Sequence, residues 1–316
     1  MKKTLNELLT EKSVVCRTEN RIGTANCYRS LLHYVEKCYG VVQMSDVTPK
    51  WAVSLHKTLK ADGKTNATIK NYFAMLQCIT NYGAYIGCTK GDIKLARTKS
   101  YELDKVKLEK PKNRQNKWLN VDDMNKLWSY WVTTDNKTHK KWLGIGLASY
   151  LCNGANFADV LRLRFDDEYY SSNKQLLGFY RQKTKNSSGA YVRIPIIDKL
   201  RCVIDTIGDD ERKGGLLFGS FLGDIDVNDD GVVAKKVMTT NTSCSKVLRT
   251  IAKKIGIRED ISVTFFRHSF ASNLNHQGCN YALIERALGH TLGGIADSYI
   301  ANAPIEQLFE LNNKLF

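Results

Sequence analysis

Apolar positions recur along this chain mostly at intervals of three and four, a spacing that predicts helices. In TANCYRSLLHYVEKCY, the residues Tyr28, Leu31, Leu32, Val35 and Tyr39 fall on one helical face. TNATIKNYFAMLQCITNYGAYIG is a cleaner case. Ile69, Tyr72, Phe73, Leu76 and Ile79 make the stripe, Asn66 is placed to cap it, and Gly83 and Gly87 weaken its end. Residues 1–20 read as a short N-terminal helix or arm. The segment SYELDKVKLEKPKNRQNK is polar, charged and holds a proline, and it reads as a linker. The apolar pattern returns at Leu119, where Asn120 can cap a turn carrying Asp122 and Asp123. KWLGIGLASYLCNGANFADVLRL is a strongly apolar helical stretch. The period then shortens to two: Val192, Ile194 and Ile196 alternate with Tyr191, Arg193 and Pro195. Together with LLGFYRQKT they bracket Asn186-Ser-Ser-Gly189, which predicts a hairpin with one buried face. Helices fill the remainder. The expected fold is mainly α with a small β-sheet, in two parts: a helical domain over 21–100 and a mixed α/β domain over 118–316, joined by a linker at 101–117.

At 316 residues the chain can bury two cores. Its 43% hydrophobic and 25% charged content excludes a disordered or fibrous protein. The opening MKKTLNELLTEK lacks a signal peptide's apolar stretch, and nothing resembles a membrane span. The nine cysteines are odd in number, scattered and without a Cys-x-x-Cys pair, as expected of reduced thiols in a cytoplasmic protein that binds no zinc. The acidic run from Asp226 to Gly231 fits half of a calcium loop. The bidentate glutamate that such a loop requires is replaced by Val237, so a solvated loop and no metal is the expectation. Net charge is +15 and unevenly spread: most of the excess falls within residues 1–120, while 121–316 are nearly balanced. That asymmetry points to an anionic polymer gripped mainly by the first half, with a merely soluble charged surface as the plainer alternative.

One stretch, TFFRHSFASNLNHQGCNYALIERALGHTLGGIADSYI from Thr264 to Ile300, combines a phenol, a guanidinium and an imidazole. Tyr299 offers a phenol. Arg267 offers a permanently charged planar fork, placed after Phe265-Phe266 at the start of a helix whose Phe270, Ala271 and Leu274 face inward. His290 follows Leu288-Gly289, where the helix of Tyr281, Ile284 and Ala287 stops. His290 lies 23 residues after Arg267, and Tyr299 nine residues after His290.

This stretch resembles the C-terminal active-site box of the tyrosine recombinases, the phage integrase family. The resemblance implies a helical core-binding domain and a mixed α/β catalytic domain that clamp double-stranded DNA. It also implies a site-specific recombinase of the integrase or invertase type, working as a homotetramer on two DNA sites, with an accessory DNA-bending protein as a further partner and with no cofactor. Tyr299 would form a 3′-phosphotyrosine, and Arg267 and His290 would hold the phosphate. Lys183, with Lys185 as the alternative, would protonate the 5′ leaving oxygen. Two positions depart from the family pattern: its first arginine is replaced by Asn156 and its second-box histidine by Thr264, and neither brings charge to the phosphate. Arg162 and Arg181 are the candidates for the missing cation, Arg162 being equally readable as a plain helix-end residue. The competing reading, a DNA-binding protein of the same fold with lost or weak catalysis, rests on Asn156 and Thr264. Lys64, Thr65 and Lys70 are candidate phosphate contacts at the capped helix. The amphipathic tail with Ile305, Leu308, Phe309 and Leu311 suits docking on a neighbouring protomer or on its own domain.

Overall fold

The computed structural model describes residues 3–88, 117–182, 190–290 and 303–316. The linker reading, Lys183, Lys185 and Tyr299 lie outside the described residues. The chain divides into two compact units, Met1–Gln115 and Asn116–Phe316. Among the described residues no helix is long and apolar enough to cross a membrane.

Among the described residues the first unit has four α-helices: α1 (Leu5–Thr18), α2 (Ile22–Tyr39), α3 (Pro49–Ala61) and α4 (Asn66–Tyr85). A capping box of Thr4 and Glu7 starts α1, and Leu5, Leu8, Leu9 and Cys16 are fully buried in one core with Leu31, Val35, Leu55, Phe73 and Leu76. Leu5–Thr18 therefore belongs to this unit as a packed helix. Asn66 does not cap α4. Thr65 is the extended residue before the helix, and its hydroxyl accepts from Thr68 N at 3.2 Å. Asn66 is already helical, and its Oδ1 accepts from Lys60 Nζ at 2.7 Å.

The second unit runs α5 (Val121–Thr133), α6 (Lys137–Leu151), α7 (Phe157–Val160), α8 (Asp167–Ser171), β1 (Leu176–Tyr180), β2 (Tyr191–Pro195), α9 (Asp198–Ile207), α10 (Asp230–Ile255), α11 (Val263–His276), α12 (Tyr281–Ala287) and α13 (Ile305–Asn313). Asn120 caps α5 by accepting from Asp123 N at 2.8 Å. Helix α6 is the centre, buried from Leu143 to Leu151. Its glycines let neighbours approach: a Cβ on Gly146 would lie 2.6 Å from the Phe266 ring of α11, and one on Gly144 2.9 Å from Trp131 and Ile207. The apolar stretch predicted as helix breaks after Leu151, because Asn153 and Gly154 both take left-handed backbone, with φ of 54° and 61°.

Strands β1 and β2 pair antiparallel, Leu176 opposite Pro195 and Tyr180 opposite Tyr191, with Leu177, Val192 and Ile194 turned into the core. Asp229 caps α10 through Gly231 N and Val232 N, at 2.8 and 3.0 Å, and Asp226 accepts from Asn228 N at 2.9 Å, so these acids shape a turn and a helix start. In α12 Ile284 and Ala287 are buried and Leu283 packs partly against the core, whereas Tyr281, in the first turn, is 64% exposed. Helix α13 packs on its own unit through Leu308 and Leu311, with Leu315 buried just beyond it. Tyr150 Oη donates to Leu315 O at 2.7 Å, and Asn312 Nδ2 to Asn153 Oδ1 at 2.8 Å and Leu151 O at 3.2 Å.

Candidate active site

Helix α12 ends at a tight reversal. Gly289 takes φ 68°, a left-handed conformation open to glycine, and His290 N donates back to Glu285 O at 2.8 Å. The reversal leaves the Leu288 and Gly289 carbonyls with spare lone pairs, and each receives a guanidinium. Arg267 Nη2 donates to Leu288 O at 3.1 Å. Arg181 Nη1 donates to Gly289 O at 2.5 Å. Cations at the carbonyl end of a helix also meet the negative pole of its dipole.

Arg267 is positioned from both sides. Its predecessors Phe265 and Phe266 are buried, which fixes the first turns of α11 against α6. Its Nη1 donates to Gly154 O at 2.6 Å, at the left-handed turn that follows α6. Its Nη2 also lies 2.8 Å from His290 Nε2. A guanidinium only donates, so Nε2 accepts and the imidazole proton sits on Nδ1. That Nδ1 lies 2.8 Å from Glu285 Oε2. Glu285, His290 and Arg267 thus form one hydrogen-bonded chain, with His290 39% and Glu285 20% exposed at the side chain.

Below this chain lies Asp159 of α7, buried, accepting from Gln182 N at 3.0 Å. Burial raises its pKa, and the Gln182 hydrogen bond and the charges of Arg181, Arg267 and Arg162 pull it back. Burial first, then the positive charge of Arg181, pushes the Arg267 guanidinium down to about 10, against the pull of Asp159 and Glu285. It therefore remains charged at neutral pH. The arrangement offers what an anionic oxygen needs: a held guanidinium with unspent N–H groups, beside an imidazole on a carboxylate.

Of the residues singled out from sequence, the structure brings Arg267 and His290 together. Asn156 stands at the start of α7 with no side-chain capping bond, and Thr264 is exposed in the first turn of α11. Asn153, the other slot for the family's arginine, is fully buried and structural: its Nδ2 donates to Arg193 O at 2.7 Å. Arg162, just past the end of α7, donates back to Ala158 O of that helix at 2.9 Å. In the other unit Lys64, Thr65 and Lys70 are exposed around the start of α4, with Lys64 Nζ 5.5 Å from the Tyr34 ring centre. Sequence reading missed Glu285, although a carboxylate five residues before His290 on a helix that reverses at Gly289 is a signal that was there to find.

The phage integrase family matches residues 117–305, and the phage integrase SAM-like domain matches residues 4–96. Among curated proteins, the tyrosine recombinase XerD of Listeria monocytogenes is 23% identical over 83% of this chain and 80% of its own length. The tyrosine recombinase XerD of Listeria innocua is 25% identical over 73% of this chain and 70% of its own. Among solved structures, a Tn1549 transposon integrase in complex with a circular intermediate DNA superposes with a TM-score of 0.65 at 13% identity, covering 99% of both chains. A lambda integrase tetramer bound to a Holliday junction superposes with a TM-score of 0.56 at 14% identity, covering 96% of this chain and 81% of that one. At such identities the likeness is one of fold.

Proposed function

Since the chain belongs to the phage integrase family, and is thus a tyrosine-type site-specific DNA recombinase, we propose that Tyr299 takes the cleaved strand while Arg267 and His290 hold the scissile phosphate. The observation that carries this assignment is the 2.8 Å contact between Arg267 Nη2 and His290 Nε2, on a frame built from the ends of α6, α11 and α12. Three of the five Arg267 N–H groups go to Gly154 O, Leu288 O and His290. Among the described residues Nε–H and one Nη1–H meet no acceptor, which leaves them for phosphate oxygens. To donate to phosphate, Nε2 must carry a proton, which ends its acceptance from Arg267 Nη2 and turns that N–H towards the phosphate as well, while Nδ1 stays on Glu285.

Tyr299 Oη attacks phosphorus as the P–O5′ bond breaks. One phosphodiester becomes a 3′-phosphotyrosine; the phenol proton passes to water, O5′ receives one from Lys183, and the lysine regains a proton from water, so the net transfer is one proton from phenol to O5′. A free 5′-hydroxyl of another strand then reverses the step. Bond energy is conserved, so no nucleotide is consumed. A phenol of reference pKa near ~10 needs cations about it to react at neutral pH, and Arg267 supplies a permanent one.

The substrate is double-stranded DNA, engaged by four protomers on two sites in the cytoplasm. The lambda integrase tetramer on a Holliday junction supports this arrangement at the level of fold. The basic first half grips the sugar-phosphate backbone. At the start of α4, Thr65 Oγ1 already caps the helix, so Lys64 and Lys70 carry the phosphate contacts there. The test is a plasmid bearing two recognition sites. The wild-type protein should yield the inverted or excised product without relaxing supercoils in plasmids that lack the sites. Tyr299→Phe should bind the sites as tightly and yield no product. Relaxation without site dependence, or product from the phenylalanine variant, contradicts the assignment.

A further inference from the structure

Arg181 directly follows β1, and its N–H still pairs with Ala190 O at 3.1 Å. Side chains alternate along a strand, so while Tyr180 is 65% exposed, Arg181 turns inward and is 5% exposed. It reaches the reversal after α12, where Nη1 donates to Gly289 O. Its Nε–H is buried with no hydrogen-bond partner among the described residues. A guanidinium withdrawn from water with a donor unspent is unfavourable. Such a group is retained where a ligand completes it.

The ligand chemistry follows from the neighbourhood. Arg181 and Arg267 donate to consecutive carbonyls, those of Gly289 and Leu288, and His290 comes next in the chain. Two planar forks converging beside one imidazole suit an anion with two exposed oxygens. A phosphorane formed on strand cleavage carries one more negative charge than the diester, more than the single guanidinium of Arg267 offsets. Asn156 brings no charge, and the Arg162 guanidinium, with Nη1 on Ala158 O, already faces the carboxylates of Asp230 and Asp159. We infer that Arg181, reaching from the end of β1 to the α12 terminus, is the second phosphate-binding guanidinium of the strand-cleaving site and stands in for the arginine absent at position 156. This assignment rests on the chain's cleaving DNA through Tyr299.

Neutralising the phosphate tests it. Duplexes selected from a randomised library by binding to the wild-type protein are nicked to trap the covalent adduct, and the linkage cut by wild type is mapped. That linkage is then remade as a methylphosphonate, in which a methyl group replaces one charged oxygen. Arg181→Ala should lower the adduct rate on ordinary phosphate by about 10²–10³-fold and return to near the wild-type rate on the methylphosphonate. Arg181→Lys, which keeps charge and stem but loses the fork, should show a smaller loss and the same recovery. Arg162→Ala should stay within about threefold of wild type on both substrates, as expected of a residue outside the phosphate site. Equal failure of both Arg181 variants on the two substrates would mean a framework role only and would overturn the assignment, as would an undiminished rate on phosphate. Absence of any adduct from the wild-type protein would instead defeat the Tyr299 reading, and Arg181 with it.

Discussion

Gly289 and Gly256 have nearly the same backbone, φ 68° and 70°, in very different surroundings. At Gly256, which ends α10, an added Cβ meets nothing within 4 Å; at Gly289 it would overlap Arg181 Cδ and come within 2.6 Å of Val192 Cγ2. Alanine at either position carries the left-handed penalty of about 1–2 kcal/mol. At Gly289 it must also displace a strand valine and the stem of a buried arginine, an overpacking cost of about 1–3 kcal/mol more. Gly256→Ala should therefore destabilise by about 1–2 kcal/mol and Gly289→Ala by about 2–5 kcal/mol. Equilibrium urea unfolding of the full chain measures both, each unit followed by its own probe because two units need not unfold together. The difference between the variants isolates the overlap. Activity should part them further. Gly256→Ala should keep the wild-type rate of adduct formation, whereas Gly289→Ala moves the arginine and carbonyl beside His290 and should lose more than about tenfold. Equal destabilisation by the two alanines, or an unimpaired Gly289→Ala enzyme, would refute the close packing on which this reasoning depends.

Glu285→Gln keeps the shape of the His290 partner and removes its charge. A drop of about tenfold in adduct rate, the worth of a charge-assisted hydrogen bond, with a changed pH profile and unchanged DNA binding, is expected; an unaltered profile would contradict the positioning role. Lys183→Ala should recover when the 5′ leaving oxygen is replaced by sulfur, which departs without a proton, and recovery by Lys185→Ala instead would move the role two residues along. Asn312→Ala removes donors from Asn153 Oδ1 and Leu151 O and should cost the second unit about 2–4 kcal/mol in urea unfolding. His139 has its pKa lowered by burial and by Lys254, so the folded state resists its protonation; stability should fall as pH drops below its unfolded value near ~6.5, and His139→Gln should flatten that limb.

Much of the fold was legible because the helices carry their signals locally. The stripe of Ile69, Phe73, Leu76 and Ile79 needs no knowledge of its neighbours, nor does Asn120 before Asp122 and Asp123. Errors arose where two adjacent residues compete for one task. Thr65 and Asn66 both suit a cap, and the choice is settled by which one keeps extended backbone. The break after Leu151 was hidden for a related reason: Asn153 and Gly154 interrupt an apolar run whose residues are buried on either side, so periodicity persists through a turn. In the site, Arg267 and His290 were legible as motif, and their 2.8 Å contact shows two residues 23 apart in sequence acting as one unit. Glu285 was not, since an acid on a short helix looks like surface until the Gly289 reversal folds His290 back over it. Arg181 was only one of two candidates, because its inward direction depends on where β1 ends and on which side of the hairpin faces α12.

The central claim is chemical, and one digest addresses it. Wild-type protein trapped on a nicked duplex, digested with trypsin and sequenced by mass spectrometry, should show the DNA 3′-phosphate on the tyrosine of the peptide containing Tyr299, with a 5′-hydroxyl left on the released strand. Attachment to any other residue, a 5′-phosphate linkage, or strand cleavage with no protein attached would contradict it.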